Sequence, residues 1–298
     1  MSFATDVKQE LLHPQEPPGA CCAESQLYGT LLFGREFSAR GMSLRTENRA
    51  LAEHVCAQLR EVALAAARLE PHGRKWEVNV SRAEDRLRLL ERFGHGANEL
   101  TLRIARENFT CDNCAAAFLR GAFLSCAAVS APERQYHLEF YVGYRTLARE
   151  LCELLTENEL PPKLCQRGAV WLVYYKDSTQ IEDLLMFLGA RLTMLDFVNA
   201  KIEKDMRNNV NRVVNFELAN MSRSSDAAAA QLQAIARLRK NPGLETLPET
   251  LREAALLREE NPGASLQELC ELASAPVTRS GMGHRLKRLE ALAKNNLH

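Results

Sequence analysis

The chain has 298 residues, and its 38 Lys and Arg balance 38 Asp and Glu, so the formal net charge is zero. The length fits two or three domains, and 46% hydrophobic with 26% charged residues is the composition of an ordinary soluble globular protein. Balanced charge excludes a global basic field, so any nucleic-acid binding depends on local clustering. Wholly apolar runs such as residues 62–67 are too short to cross a bilayer, and residues 1–13 lack a signal-peptide core. We therefore expect a cytoplasmic protein that has no membrane partner.

One stretch of the chain occurs twice. Residues 27–38 (LYGTLLFGREFS) return as residues 119–130 (LRGAFLSCAAVS), with Gly29 aligned on Gly121. The match continues downstream, for example at the two tryptophans. A long unit seen only twice predicts a pseudo-symmetric domain, because a solenoid needs at least three short repeats.

The first copy is expected to alternate single helices with pairs of short strands. A helix over residues 2–12, with Ser2 at its N-cap, precedes it and ends at a Pro-rich loop. Apolar spacing then predicts a helix at 24–33, two strands at 37–45, a helix at 47–67, two strands at 69–80 and a helix at 82–93. The order is αββαββα.

The second copy follows a connection that holds a predicted strand at residues 100–105. Its predicted elements are a helix at 115–127, a strand at 136–142, a helix at 145–157, strands at 163–166 and 170–175, and a helix at 181–188. From Asp226 onward the pattern predicts helices alone, at 226–240, 248–259, 265–272 and 278–294.

The predicted fold class is α+β, a pseudo-two-fold duplicated αββαββα domain followed by an all-α domain. We place an N-terminal helix and loop at 1–20 and the duplicated domain at 21–190, with copies at about 21–94 and 114–189. An Asn/Arg-rich linker follows at 191–225, and the helical domain occupies 226–298.

The C-terminal helices carry the clearest functional signal. Ser265, with Glu268 three residues later, forms a capping box, and a short turn leads to a second helix at Thr278. Two short helices joined by a tight turn are typical of a helix-turn-helix, whose second helix lies in the major groove of double-stranded DNA. Residues 278–288 (TRSGMGHRLKR) contain four Lys or Arg and no acid. The predicted DNA-binding residues are Ser265, Thr278, Arg279, Ser280, Gly281, His284, Arg285, Lys287 and Arg288.

Two weaker features accompany this motif. Gly281 and Gly283 permit close approach to a duplex, although together they cost the helix about 2 kcal/mol relative to Ala. The alternative to a DNA-binding helix-turn-helix is an ordinary helical hairpin on the surface. The Asn/Arg-rich stretch is expected to make secondary DNA contacts or an interdomain hydrogen-bond network. The sequence supports equally well the alternative that it is a solvated linker helix. The residues concerned are Arg207, Asn208, Asn211 and Arg212.

The nine cysteines are scattered, as buried thiols of a reducing compartment would be. Cys111 and Cys114 have the spacing of zinc ligands, and Cys21 with Cys22 occupies the matching place in the first copy. All four thiols lie near one end of the helix pair if the two copies pack side by side. A single C-x-x-C is an incomplete zinc signature, so the sequence favours four small residues packed at crowded helix starts. We therefore expect no cofactor, and stoichiometric zinc in purified protein would overturn that preference.

A duplicated αββαββα unit whose copies open with a Leu-x-Gly helix resembles the LAGLIDADG homing-endonuclease fold. In that family the motif helices pack on a pseudo-two-fold axis, and each ends in an acidic residue that holds the catalytic metal. Here those positions are Gly34 and Cys126, and neither ligates Mg²⁺, which binds carboxylate oxygen. The resemblance thus implies retained helix packing and no catalytic residue. The small residues that allow this packing are Thr30, Gly34, Ala122 and Cys126.

Such a degenerate domain followed by a helix-turn-helix resembles the WhiA family of bacterial regulators over nearly the whole chain. Residues 119–124 (LRGAFL), 136–139 (YHLE), 206–208 (MRN) and 280–286 (SGMGHRL) carry the resemblance. It implies a nucleoid-associated protein of cell division and chromosome segregation, which regulates transcription during sporulation in some lineages. Double-stranded DNA and another transcription or cell-division protein are the implied partners. The alternatives are a cell-division scaffold that acts through proteins and, against the evidence of Gly34 and Cys126, a residual metal-dependent nuclease.

Overall fold

The first copy of the repeat folds as one antiparallel sheet with helices on it. The computed structural model describes residues 2–14, 17–99 and 101–295. Its elements begin with α1 (Phe3–Leu12), α2 (Ala20–Leu32), β1 (Glu36–Phe37), β2 (Met42–Thr46), α3 (Arg49–Glu61), β3 (Ala67–His72), β4 (Lys75–Val80) and α4 (Ala83–Arg92). The strand order is β1-β2-β4-β3, with Leu44 opposite Val78. Ser2 caps α1 as predicted, accepting a hydrogen bond from the Thr5 N–H.

The second copy repeats this architecture. It contains α5 (Cys114–Cys126), β5 (Ala127–Val129), β6 (Leu138–Val142), α6 (Arg145–Glu157), β7 (Lys163–Arg167), β8 (Val170–Tyr175) and α7 (Ser178–Leu188). The strand order β5-β6-β8-β7 is equivalent to that of the first sheet, so the two copies are related by internal pseudo-symmetry.

One predicted strand is wrong. Residues 101–105 are not a strand, and Leu100 lies outside the described residues. The Ile104 N–H donates to the Glu150 carboxylate, and the Ala105 N–H donates to the Tyr28 hydroxyl at 2.8 Å. These backbone donors are thus satisfied by distant side chains, and no strand ladder forms there.

The helices α2 and α5 cross at a pair of glycines in the centre of the core. A Cβ atom on Gly29 would lie 2.1 Å from the Phe118 carbonyl oxygen, and one on Gly121 would lie 2.1 Å from that of Gln26. No side chain fits at such distances, so the two backbones are in direct contact. These glycines are the pair that the repeat aligns.

The described part of the C-terminal region contains helices only. The chain divides into two units, one up to Lys204 and the other from Asp205. A single helix, α8 (Arg191–Lys240), occupies both the predicted linker and the predicted helix at 226–240. In the first unit its opening N–H groups, at Leu192 and Thr193, donate to the Glu10 carboxylate of α1 at 2.7 and 2.8 Å. Among the described residues, no helix combines the length and apolar character needed to span a bilayer.

The second unit has its own core. It is completed by α9 (Glu249–Glu260), α10 (Leu266–Glu271) and α11 (Arg279–Asn295). These three helices pack on the end of α8 through a cluster of buried side chains that includes Ile235, Leu238, Leu251, Ala254, Leu269, Met282, Leu286 and Leu289.

Candidate nucleic-acid interface

Helix α11 has one apolar and one basic face. Met282, Leu286 and Leu289 follow the i, i+4, i+7 spacing and are fully buried. The opposite face exposes Arg279, Ser280, His284, Lys287 and Arg288. Within the part of the chain that the structure describes, no acidic side chain forms an ion pair with Arg279, Lys287 or Arg288. This face therefore carries uncompensated positive charge at the surface.

Two of the predicted DNA-binding residues, Ser265 and Thr278, lie at helix starts, where their hydroxyl groups accept hydrogen bonds from the backbone. The Ser265 hydroxyl accepts from the Glu268 N–H at 3.3 Å, and the Glu268 carboxylate accepts from the Ser265 N–H at 2.7 Å. The predicted capping box is thus confirmed. Thr278 similarly accepts from the Gly281 N–H at 3.1 Å, where α11 starts. Both residues are exposed, Ser265 where α10 begins and Thr278 where the turn after α10 leads into α11.

Arg285 differs from the other predicted DNA-binding residues because its side chain is only 22% exposed and is paired. Its Nη1 lies 3.4 Å from Oε2 of Glu253 on α9, whose Oε1 accepts hydrogen bonds from the Ser274 N–H and hydroxyl at 2.7 and 2.5 Å. These Ser274 bonds, with Arg285, hold the pKa of Glu253 below its ordinary value. One carboxylate therefore joins α9, the turn and α11. Sequence reasoning missed Glu253, because nothing in its spacing distinguishes it from other acids on an amphipathic helix.

The two glycines of α11 have different surroundings. A Cβ on Gly281 would lie 3.1 Å from the Val277 side chain, a tight contact. A Cβ on Gly283 would lie 3.5 Å from Leu266 Cδ1, which is ordinary van der Waals contact. Packing therefore does not require glycine at position 283.

The secondary set of predicted contacts lies on α8. All four side chains, Arg207, Asn208, Asn211 and Arg212, are exposed. Exposed apolar side chains lie among them and further along the helix: Met206 (64% exposed), Val210 (61%), Val213 (56%), Phe216 (66%) and Met221 (70%). This part of α8 thus presents mixed polar and apolar surface within the second unit.

The C-terminal ends of α2 and α5 adjoin a shallow cavity. Its lining residues, among which there is no carboxylate, are Phe33, Gly34, Arg35, Leu44, Arg45, Ser125, Cys126, Ala127 and Tyr141. The Glu36 carboxylate lies instead against Gly41, where a Cβ would be 2.2 Å from Oε2. Arg35 and Arg45 both pair with Glu77, at 3.1 and 2.7 Å. The lining thus offers no carboxylate oxygen for a hard metal ion.

At the opposite ends of the same helices, the structure brings four cysteines together. The Sγ atom of Cys111 lies 3.4 Å from that of Cys114, 3.5 Å from Cys22 and 3.6 Å from Cys21. All four sulfur atoms lie within 4.8 Å of one another. Burial raises the pKa of the Cys22 thiol to about 12. Burial acts in the same direction on Cys114, but hydrogen bonds from Ser25 and the Cys111 backbone outweigh it and lower that pKa to about 6.

The chain contains a duplicated sheet domain, in which two helices cross at a pair of glycines, and a helix-turn-helix unit. These features define a protein that combines a LAGLIDADG-like domain with a helix-turn-helix domain. The WhiA LAGLIDADG-like domain model matches residues 115–207, and the WhiA C-terminal HTH domain model matches residues 210–293. The chain is 35% identical to "Probable cell division protein WhiA" of Clostridium tetani, over 99% of this chain and 98% of that one. It is 36% identical to the protein of the same name in Desulforudis audaxviator, over 100% and 98%.

The chain therefore belongs to the WhiA family. The crystal structure of full-length WhiA from Thermatoga maritima shares its fold, with a TM-score of 0.58 at 22% identity over 99% of both chains. The predicted family and fold class are confirmed.

Proposed function

We propose that this protein binds double-stranded DNA through α11 and acts in cell division as a DNA-bound regulator. The observation that carries the proposal is the exposed basic face of α11, opposite the buried Met282, Leu286 and Leu289. A recognition helix of this kind enters the major groove. The two relatives are named as probable cell division proteins, which supports the same role here. Chromosome segregation and transcription regulation, including sporulation where the lineage sporulates, are part of the proposal.

The residues of α11 divide by position. Arg279, Ser280 and His284 lie in its first turns, where side chains reach base edges, and Lys287 and Arg288 follow with charge for phosphates. Arg285 acts as a positioning residue, because its guanidinium is held by Glu253. Ser265 lies at the start of α10 and Thr278 at the start of α11, where their exposed hydroxyl groups can meet phosphates. The exposed Arg207, Asn208, Asn211 and Arg212 supply secondary phosphate contacts.

The proposed activity is binding without catalysis. The cavity at the C-terminal ends of α2 and α5 has arginines in its lining and no carboxylate to hold Mg²⁺. Supercoiled plasmid incubated with Mg²⁺ and the protein should remain uncut, and cleavage that follows the protein through purification would contradict this.

The test of DNA binding starts by mapping bound genomic sites, which supply a duplex for fluorescence anisotropy. Arg279→Ala is expected to weaken specific binding by about 1–3 kcal/mol. Lys287→Ala should weaken binding to all sequences and reduce the salt slope by about 1. Lys294→Ala is the matched control, since Lys294 is an exposed cation in the last turn of the same helix. If the first two variants bind as tightly as the control, α11 is not the interface.

A second candidate function, a division scaffold that docks a protein partner, is favoured by the exposed apolar side chains of α8. Large exposed apolar side chains grouped on one segment are typical of interaction sites. Replacing Val213 and Phe216 with Ser in the full chain separates the two functions. A division defect with intact DNA affinity favours the scaffold, whereas normal division removes this candidate.

A further inference from the structure

We propose that Cys21, Cys22, Cys111 and Cys114 bind one structural Zn²⁺ ion where α2 and α5 begin. The cluster lies far along both helices from the cavity that contains Gly34 and Cys126, and the proposed DNA binding does not involve it.

The sulfur separations fit a single tetrahedral ion. A zinc–sulfur bond of about 2.3 Å places the sulfurs of a regular tetrahedron about 3.8 Å apart. The three separations from Cys111 are 3.4, 3.5 and 3.6 Å, and no pair exceeds 4.8 Å. A polynuclear iron–sulfur cluster attaches its thiolates to different iron atoms, which spreads them more widely. The geometry therefore favours one ion.

The backbone places these ligands without long flexible segments. Cys21 and Cys22 belong to the first turn of α2, and Cys114 is the first residue of α5. Cys111 lies in the turn before α5, and its carbonyl accepts the Cys114 N–H at 3.0 Å. The glycine crossing of α2 with α5 holds the two helix starts at the same end of the pair. Cys114 is fully buried and Cys111 is exposed, so the site has both a packed base and a path for metal entry.

Groups with positive charge or partial positive charge lie around the cluster. Two 13-residue helices direct their N-terminal N–H groups, which carry partial positive charge, towards this end. The Arg120 guanidinium lines the same cavity as Cys22. Zn²⁺ binding displaces the thiol protons to solvent, and these positive groups offset the net negative charge of four thiolates around a divalent ion. Thiolate ligands in tetrahedral geometry select zinc over hard cations such as Mg²⁺.

The experiment measures metal in the full-length protein. Protein purified without chelator is loaded with ZnCl₂, freed of excess metal by gel filtration and assayed by mass spectrometry, with about one zinc per chain expected. CoCl₂ in place of zinc should give the visible absorption bands of a tetrahedral thiolate site and saturate at one equivalent.

Two exposed cysteines provide a matched pair of variants. Cys111→Ser removes a ligand, whereas Cys165→Ser changes an exposed cysteine on β7 outside the cluster. Cys111→Ser should weaken zinc binding by more than the roughly 10–100-fold that follows loss of an outer-shell partner. Cys165→Ser should retain wild-type metal. Circular dichroism checks that both variants fold, and chelation of wild-type zinc should lower the thermal midpoint of the first unit.

Three results would overturn the proposal. One is wild-type protein that retains no zinc after loading, and another is Cys111→Ser that binds zinc as Cys165→Ser does. The third is purified protein whose intact mass shows a disulfide among these cysteines and which takes up no metal after reduction.

Discussion

Gly29→Ala should destabilise the first unit, although alanine is the better helix former. The new Cβ would lie 2.1 Å from the Phe118 carbonyl oxygen, 3.0 Å from the Phe118 carbonyl carbon and 3.2 Å from the Ala122 nitrogen. A carbon atom normally approaches a carbonyl oxygen no closer than about 3.3 Å, so the helices must separate by about 1.2 Å here. All three atoms are backbone, so no side chain can rotate away.

The magnitude is the balance of two effects. Overpacking of a core costs about 1–3 kcal/mol, and a backbone obstacle places this case at the upper end. Replacing a helical glycine with alanine returns about 1 kcal/mol. The net loss of about 2 kcal/mol corresponds to a fall in Tm of about 4–8 °C for a unit of this size.

Intrinsic fluorescence measures this loss in the first unit alone, because both tryptophans, Trp76 and Trp171, lie there. Gly19→Ala is the control: Gly19 is the N-cap of the same helix, and its Cβ would meet no atom within 4 Å. The control should cost no more than about 1 kcal/mol, because alanine is a poorer N-cap than glycine but meets no steric obstacle here. A Gly29→Ala midpoint at or above that of Gly19→Ala would refute the argument that the backbones are in contact.

Three further predictions concern the helix-turn-helix unit. Gly283→Ala should stabilise it by about 0.5–1 kcal/mol in thermal unfolding followed by circular dichroism, because the methyl group meets only Leu266. If this more stable variant binds DNA more weakly, the glycine serves close approach to the duplex. A lower unfolding midpoint would contradict the conclusion that packing does not require glycine at this position. Glu253→Gln should lower stability by about 1–2 kcal/mol at neutral pH. Since the pKa of Glu253 is depressed in the folded protein, its contribution to the free energy of unfolding is complete above about pH 4.3 and is lost as the pH falls further. If the stability difference between wild type and Glu253→Gln persists in acid, the carboxylate is not its source. Arg285→Ala should destabilise the unit yet reduce anisotropy-measured DNA affinity less than Arg279→Ala does; the reverse order would assign Arg285 to the DNA.

Elements with a clear period were predictable from the sequence. Helix α6 begins and ends at the predicted residues, 145 and 157, because its apolar spacing alone defines it. Strand β5 was missed because its three residues, Ala127–Val129, show no alternation and gain their strand form by pairing with β6. The strand predicted at 100–105 does not form for the opposite reason. Its apolar pattern fits a strand, but the N–H groups of Ile104 and Ala105 donate to the side chains of Glu150 and Tyr28 and not to a neighbouring strand.

The candidate site divides in the same way. The basic face of α11 depends only on helical period, so the sequence sufficed to predict it. The Glu253–Arg285 pair joins residues 32 apart on different helices, which no local pattern encodes. The tightest helix contact lies at Gly29 and Gly121, beside the predicted Thr30, and its position depends on the crossing of two distant segments.

The close approach of α2 and α5 has different chemical consequences at their two ends. At the C-terminal ends, beside Gly34 and Cys126, no carboxylate lines the adjoining cavity. At the N-terminal ends the same crossing gathers four thiols, which suit a soft ion that stabilises structure. If zinc is bound there, it adds a constraint on the helix starts that does not depend on the glycines. Gly29→Ala should then lose less stability in zinc-loaded protein than after chelation, and equal losses would show that the crossing and the thiol cluster are energetically independent.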